Sequence, residues 1–166
     1  MIINEIVESD KNAYFCNISH DKKVLETFVC RYCETVDELD FDHILALPDI
    51  FAVRVRETGE FIGIVLICAR GDDWCEIGYG FGSDHWNKGY ATEAVRAFID
   101  HCLKVKNYRK VCASFFTGNV ASKRVMEKCG MRYDHFVQNE FTYLGQERDL
   151  TYYAITKEEF ENGFGN

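Results

Sequence analysis

Three short stretches of the chain carry residue types that could do chemistry. In HWNKGYATEA (85–94), a lysine, an asparagine and small residues come just before an amphipathic pattern. EIGYGF (76–81) is a β-rich run that begins with a carboxylate and holds two glycines. In FTGNVASKRVMEKCG (116–130), an asparagine opens a helical pattern and a serine follows three residues later. A strand that runs into a helix through small residues points free N–H groups and the positive dipole end at one spot. That spot suits an anion. Glycine lets a phosphate approach the main-chain donors, and Lys88 adds charge at the rim. The junction at 85–91 reads as a pyrophosphate cradle.

Two familiar phosphate motifs do not fit. Walker A requires GxxxxGK followed by Ser or Thr, and no such run exists here. The glycines of GYGFG (78–82) are spaced GxGxG and lie inside the strand, several residues before the helix, which excludes a dinucleotide fingerprint.

On these residues the chain resembles the GCN5-related N-acetyltransferases (GNAT). EIGYGF…HWNKGYATEA (76–94) is similar to their motif A, whose loop has the form Q/R-x-x-G-x-G/A. Trp86 stands at the Q/R place, and Gly89 and Ala91 are the two small positions. FTGNVASKRVMEKCGMRYDHF (116–136) is similar to motif B. The Trp followed by KGYATEA resembles the RimJ/RimL-like branch, which acetylates ribosomal-protein N-termini. The likeness is close across 50–136, keeps the same element order to the C-terminus, and holds only in outline over 1–49.

The resemblance implies a single N-acetyltransferase domain over 1–166, with motif A at about 74–105 and motif B at about 110–136. It implies acetyl-CoA as co-substrate. Trp86, Asn87, Lys88, Gly89, Tyr90 and Ala91 would surround the pyrophosphate, and Tyr79, Gly80 and Phe81 would offer a strand edge to the pantetheine arm. Asn119 would cap its helix and touch the same arm. Plainer readings stand beside these: Tyr90 and Trp86 as packing aromatics, Gly78 and Gly80 as an ordinary bulge.

Acetyl transfer from a thioester needs a neutral amine, a stabilised carbonyl oxygen, aligned reactants and a proton or hydrogen bond for the departing thiolate. Glu76 is the candidate base, since strand alternation puts it on one face with Gly78 and Gly80. The alternative is a strand glutamate facing solvent or pairing with an arginine. At the leaving-group end, many family members carry a tyrosine seven residues after the motif B asparagine. Here that residue is Met126, which has no proton to give. The resemblance then points to Ser122, three residues after Asn119, as a donor of a hydrogen bond to the thiolate. A first-turn structural serine is the alternative.

The elements that must position these residues follow from periodicity. The first 50 residues read as helical, with caps at Ser9, Ser19 and Thr35 or Asp37 and an end before Pro48, the only proline. IFAVRVRE (50–57) and FIGIVLICAR (61–70) form a hairpin about ETGE, and WCEIGYGFG (74–82) is a third strand. A helix over 89–105 buries Ala91, Ala94, Val95, Phe98, Cys102 and Val105 and exposes Glu93, Arg96, Asp100 and Lys104. KVCASFF (110–116) is a strand, 119–129 a helix closed by Gly130, and 131–141 and 149–156 are strands. The fold class is α+β, with a central mixed, mostly antiparallel twisted sheet flanked by helices, as in the GNAT fold.

Composition bounds the partners. Residues 1–50 hold 11 acidic against 4 basic side chains, and the whole chain carries a formal charge of −8. No basic patch exists for nucleic acid. The longest apolar run, 61–69, is too short to cross a bilayer, and MIINEIVESD lacks the regions of a signal peptide, so a cytoplasmic protein without membrane contact is expected. Cys30 and Cys33 make a lone CxxC among eight cysteines, and His85 and His101 have no partner at ligand spacing. No metal is expected. The acceptor would be an amine: a peptide N-terminus, a polyamine or another small amine. The strand at 149–156 could pair across a homodimer axis. The rival reading is a non-catalytic CoA-binding regulatory module, suggested by Met126.

Overall fold

The computed structural model of the chain describes residues 1–164. Seven strands follow the hydrogen-bonded order β1-β2-β3-β4-β5-β7-β6. They are β1 (Ile2–Glu5), β2 (Ile50–Arg54), β3 (Phe61–Arg70), β4 (Trp74–Phe81), β5 (Lys110–Phe116), β6 (Arg132–Tyr143) and β7 (Gln146–Thr156). Short helices α1 (Lys11–Tyr14), α2 (Lys22–Leu25) and α3 (Phe41–Ala46) lie between β1 and β2. The longer α4 (Tyr90–Lys104), α5 (Val120–Lys128) and α6 (Lys157–Phe164) come later. β4 pairs parallel with β5, and β1–β2, β2–β3, β5–β7 and β6–β7 pair antiparallel, so the sheet is mixed and mostly antiparallel, as the α+β reading requires. Among the described residues, no helix is long and apolar enough to cross a membrane.

Two compact units can be distinguished, and each has its own core. The first takes in Met1–Ile67 and Tyr79–Ala94. Its centre is Ile6, Tyr14, Ile18, Leu39, Phe41, Ile50, Ala52, Phe61 and Ile64. Tyr14 meets Phe41 edge-on with ring centroids 5.8 Å apart. A buried carboxylate, Asp10, is compensated by the Arg54 guanidinium at 2.6 and 2.7 Å. Such a pair is tolerated in a core only when both charges are matched.

The N-terminal segment departs from expectation. Ile2–Glu5 is a strand and not helix, paired antiparallel with β2 from Ile2↔Arg54 to Glu5↔Phe51. A four-residue edge strand takes its stability from its neighbour, so its own periodicity carries no signal. The expected caps also differ. Asp21 caps α2 through Lys23 and Val24, and Asp40 caps α3 through His43. Ser9 and Ser19 lie within short helical turns, and Thr35 precedes a 3₁₀ turn without capping it through its side chain. Asp21 and Asp40 stand directly before their helices, where a carboxylate reaches the free N–H groups of the first turn.

The second unit takes in Cys68–Gly78 and the chain from Val95 onward. Val95, Phe98, Ile99, Cys102 and Leu103 of α4 are buried, as are Val111 and Ala113 of β5 and Met126 of α5. Val105, expected in the core, is 70% exposed because α4 ends one residue earlier. Ile99 and Leu103 fill that stripe instead. Helix α5 ends as its glycine requires: Gly130 has φ +84°, and Met131 N–H reaches back to the Met126 carbonyl at 3.0 Å. The C-terminal helix α6 was not anticipated from the sequence. The register Ser114↔Tyr152 and Ala113↔Tyr153 aligns β5 with β7 and sets which side chains share a face.

Candidate functional site

Within the first unit, the turn between β4 and α4 is built from three ties. The Trp86 indole N–H donates to the Phe81 carbonyl at 2.7 Å, joining the two ends of the 81–86 turn. Ser83 N–H donates to the Asp21 carboxylate at 2.7 Å, fastening the turn to the start of α2. Burial works to raise the Asp21 carboxyl, but backbone hydrogen bonds from Ser83, Lys23 and Val24 outweigh it and hold it below the ordinary carboxylate range. Asn17 packs its side chain where a Cβ on Gly82 would sit.

Beyond Trp86 the backbone turns into left-handed space twice, at Asn87 (φ +60°) and Gly89 (φ +84°). Asn87, Lys88 and Gly89 are exposed, and no atom lies within 4 Å of where a Cβ on Gly89 would stand. The ladder of α4 opens with Glu93 N–H on the Gly89 carbonyl at 3.1 Å. A helix leaves its first N–H groups without an acceptor inside it, and such a start suits an anion. Tyr90 and Ala91 are half-buried at the first turn. Trp86 therefore has a structural duty in the turn, whatever else it touches.

Along β4, Tyr79 is half-buried, and Gly80 and Phe81 are buried. The missing side chain of Gly80 leaves its place to the ring of Phe28, whose Cδ1 would lie 3.1 Å from an added Cβ. Phe28 had no signal in the sequence. It follows α2 in a stretch without periodicity, and its packing partner is 52 positions away in the chain.

Within the second unit, Glu76 stands opposite Cys112 at the end of the recorded β4–β5 register. It neither faces open solvent nor pairs with an arginine. Its Oε1 accepts a hydrogen bond from the Ser114 hydroxyl at 2.7 Å. Ser114 is directly across from Tyr152 on β7. Burial pushes the Tyr152 phenol up to about 12, with the negative charges of Glu76 and Glu140 acting the same way. The other side of its ring is covered by His135, stacked at 4.3 Å. Asp134 holds His135 at 2.7 Å and Lys110 at 2.7 Å. The half-buried face of the sheet thus carries an ordered polar row, whereas Val111, Ala113 and Tyr153 face the core. Ser114 and Tyr152 were missed because a strand serine has no pattern until its cross-strand neighbour is known.

Asn119 is the N-cap of α5, and its Oδ1 accepts Ser122 N–H at 3.1 Å. Ser122 is half-buried on the first turn. One turn on, Met126 is fully buried. Its position is a core position in this chain, not a place for an acid. Cys112, on the face of Glu76, has its thiol pushed up to about 11, chiefly by burial, so it is protonated near neutral pH and a poor nucleophile. Cys30, one of the CxxC pair, is pushed up to about 12, again by burial first. Among the described residues, no group of three or more His, Cys, Asp or Glu side chains could hold a metal ion.

Residues 1–132 match the family model described as an acetyltransferase (GNAT) domain. YnaD of Bacillus subtilis (strain 168), named as an uncharacterized N-acetyltransferase, is 36% identical over 111 residues, which are 66% of this chain and 65% of that protein. The chain thus spans just under two thirds of that relative. A crystal structure of a GNAT-family acetyltransferase from Bacillus anthracis superposes with a TM-score of 0.83 at 26% identity, covering 94% of both chains. A spermidine N-acetyltransferase from Vibrio cholerae, solved with CoA and spermine, superposes with a TM-score of 0.80, covering 96% of both chains. Its 18% identity speaks to the fold alone.

Proposed function

Because this chain belongs to the GNAT acetyltransferase family, we propose that it transfers an acetyl group from acetyl-CoA to a primary amine by direct attack in a ternary complex. The observation that carries the proposal is the turn at 86–91: exposed at Asn87, Lys88 and Gly89, left-handed at Asn87 and Gly89, and open where a side chain on Gly89 would stand. The pyrophosphate would rest on the N–H groups from Asn87 to Ala91, with Lys88 at the rim. The pantetheine arm would lie along Tyr79, Gly80 and Phe81. Residues 1–166 would act as one catalytic domain.

In the chemical step, Glu76 takes the proton that the ammonium must lose, directly or through a water, and the amine nitrogen attacks the thioester carbonyl carbon. A lysine-type amine titrates near 10.4, so the base matters most for such acceptors. As the carbon–sulfur bond breaks, the nitrogen gives up its second proton through solvent to the departing thiolate, which the Ser122 hydroxyl holds by a hydrogen bond. The high titration range of Cys112 supports attack by the acceptor itself and not through an acyl-cysteine. The acidic first third of the chain would attract a cationic acceptor, a peptide N-terminus or a polyamine, and the fold is shared with a spermidine acetyltransferase. A cytoplasmic enzyme, monomeric or paired through a late strand, is the form we envisage.

The test is thiol release from acetyl-CoA with spermidine, a lysine peptide and a peptide with a free α-amine. Turnover with any of them is expected. Tight acetyl-CoA binding with no turnover across such a panel would favour the non-catalytic CoA-binding module instead.

A further inference from the structure

The polar row on the half-buried face of the second unit has a direction built into it. A serine hydroxyl owns a single hydrogen. In Ser114 that hydrogen goes to Glu76 Oε1 at 2.7 Å. Tyr152 stands across from Ser114 in the β5–β7 register, against the stacked ring of His135, which Asp134 and Lys110 keep in place. The bond from Ser114 ends on a carboxylate, which can only accept when ionised.

We infer that Ser114 is a positioning residue for Glu76. The inference rests on Glu76 being the base. A glutamate has three rotatable bonds, and a charged hydrogen bond to one oxygen selects among its rotamers. With Oε1 engaged, the lone pairs of Oε2 are left for the amine proton. Ser114 touches no reacting atom and exchanges no proton in the step. Its contribution is the geometry of the carboxylate, and a misplacement on the order of 1 Å at a reacting group can cost about a hundredfold in rate.

A double-mutant cycle on the full chain tests this, with acetyl-CoA and the spermidine and peptide acceptors above. Ser114→Ala should lower kcat by about ten- to a hundredfold, with KM for acetyl-CoA within about twofold. Ser114→Thr, which keeps the hydroxyl on a strand, should recover most of the loss. In a Glu76→Gln background, Ser114→Ala should add nothing, because a residue acting only through Glu76 has no effect once the base is gone. Multiplying losses in the double variant would overturn the positioning role while leaving Glu76 as base. An undiminished Glu76→Gln protein would overturn the base assignment, and the inference with it. If no acceptor turns over, a crystal structure of Ser114→Ala decides: several Glu76 rotamers are expected, and one unchanged rotamer overturns the inference.

Discussion

The indole N–H of Trp86 and the carbonyl of Phe81 are joined by a 2.7 Å hydrogen bond that ties the end of β4 to the start of the 86–91 turn. In the related family loops this place carries Gln or Arg; here it carries a ring that holds the turn in shape. Trp86→Phe keeps the ring and loses the donor. It should weaken acetyl-CoA binding several-fold by calorimetry and lower stability by about 1 kcal/mol. Unchanged affinity would show that the turn is held by the Asp21–Ser83 tie alone.

Gly89 is needed for its backbone and for the space it leaves. At φ +84° any other side chain is strained by about 1–2 kcal/mol, and the open side is where the phosphates would approach. Gly89→Asp adds charge of the wrong sign at that spot. A folded Gly89→Asp protein should show no measurable heat of acetyl-CoA binding, and wild-type affinity in it would remove the cradle from consideration.

Ser122→Ala should separate chemistry from binding. The helix keeps its Asn119 cap, since that bond uses the Ser122 backbone N–H and not its hydroxyl. Steady-state kinetics should show kcat falling by at least about tenfold, in the range of a lost transition-state hydrogen bond, with little change in acetyl-CoA affinity. Equal turnover would return Ser122 to a first-turn structural role.

Met126→Tyr should not create the acid that other family members have there. The side chain is fully buried, so a larger ring overpacks the core of the second unit. Thermal denaturation should show a loss of about 1–3 kcal/mol, with no gain in turnover. A stable, faster variant would contradict the core assignment.

The pH dependence of stability should carry a contribution from Asp21. Its folded carboxyl is held below the ordinary range, so its ionised form is worth more in the folded state than in the unfolded chain. The stabilisation is complete above the unfolded value, near 3.9, and disappears as pH falls through the lower folded value. Asp21→Asn keeps a capping oxygen but loses the charge. It should melt below wild type at pH 7, and the difference should close below about pH 4. A difference that persists at pH 2 would place the effect in packing.

What the sequence determined by itself was local and repetitive. The apolar stripe of α4, the long β-runs, the glycine that ends α5 and the small residues at 89 and 91 all act through neighbours within one or two turns, so residue order is enough to reveal them. Even there the limits were those of short range: Val105 kept the period but lies past the helix end, and Ile2–Glu5 is a strand only because β2 lies beside it. Tertiary structure alone decided the pairings that aim side chains. Asp21 meets Ser83, Phe28 fills the place beside Gly80, and Ser114 turns toward Glu76 across 38 positions of chain. A hydrogen bond depends on a few ångströms of separation between atoms, and chain order constrains that distance only when the residues are near neighbours.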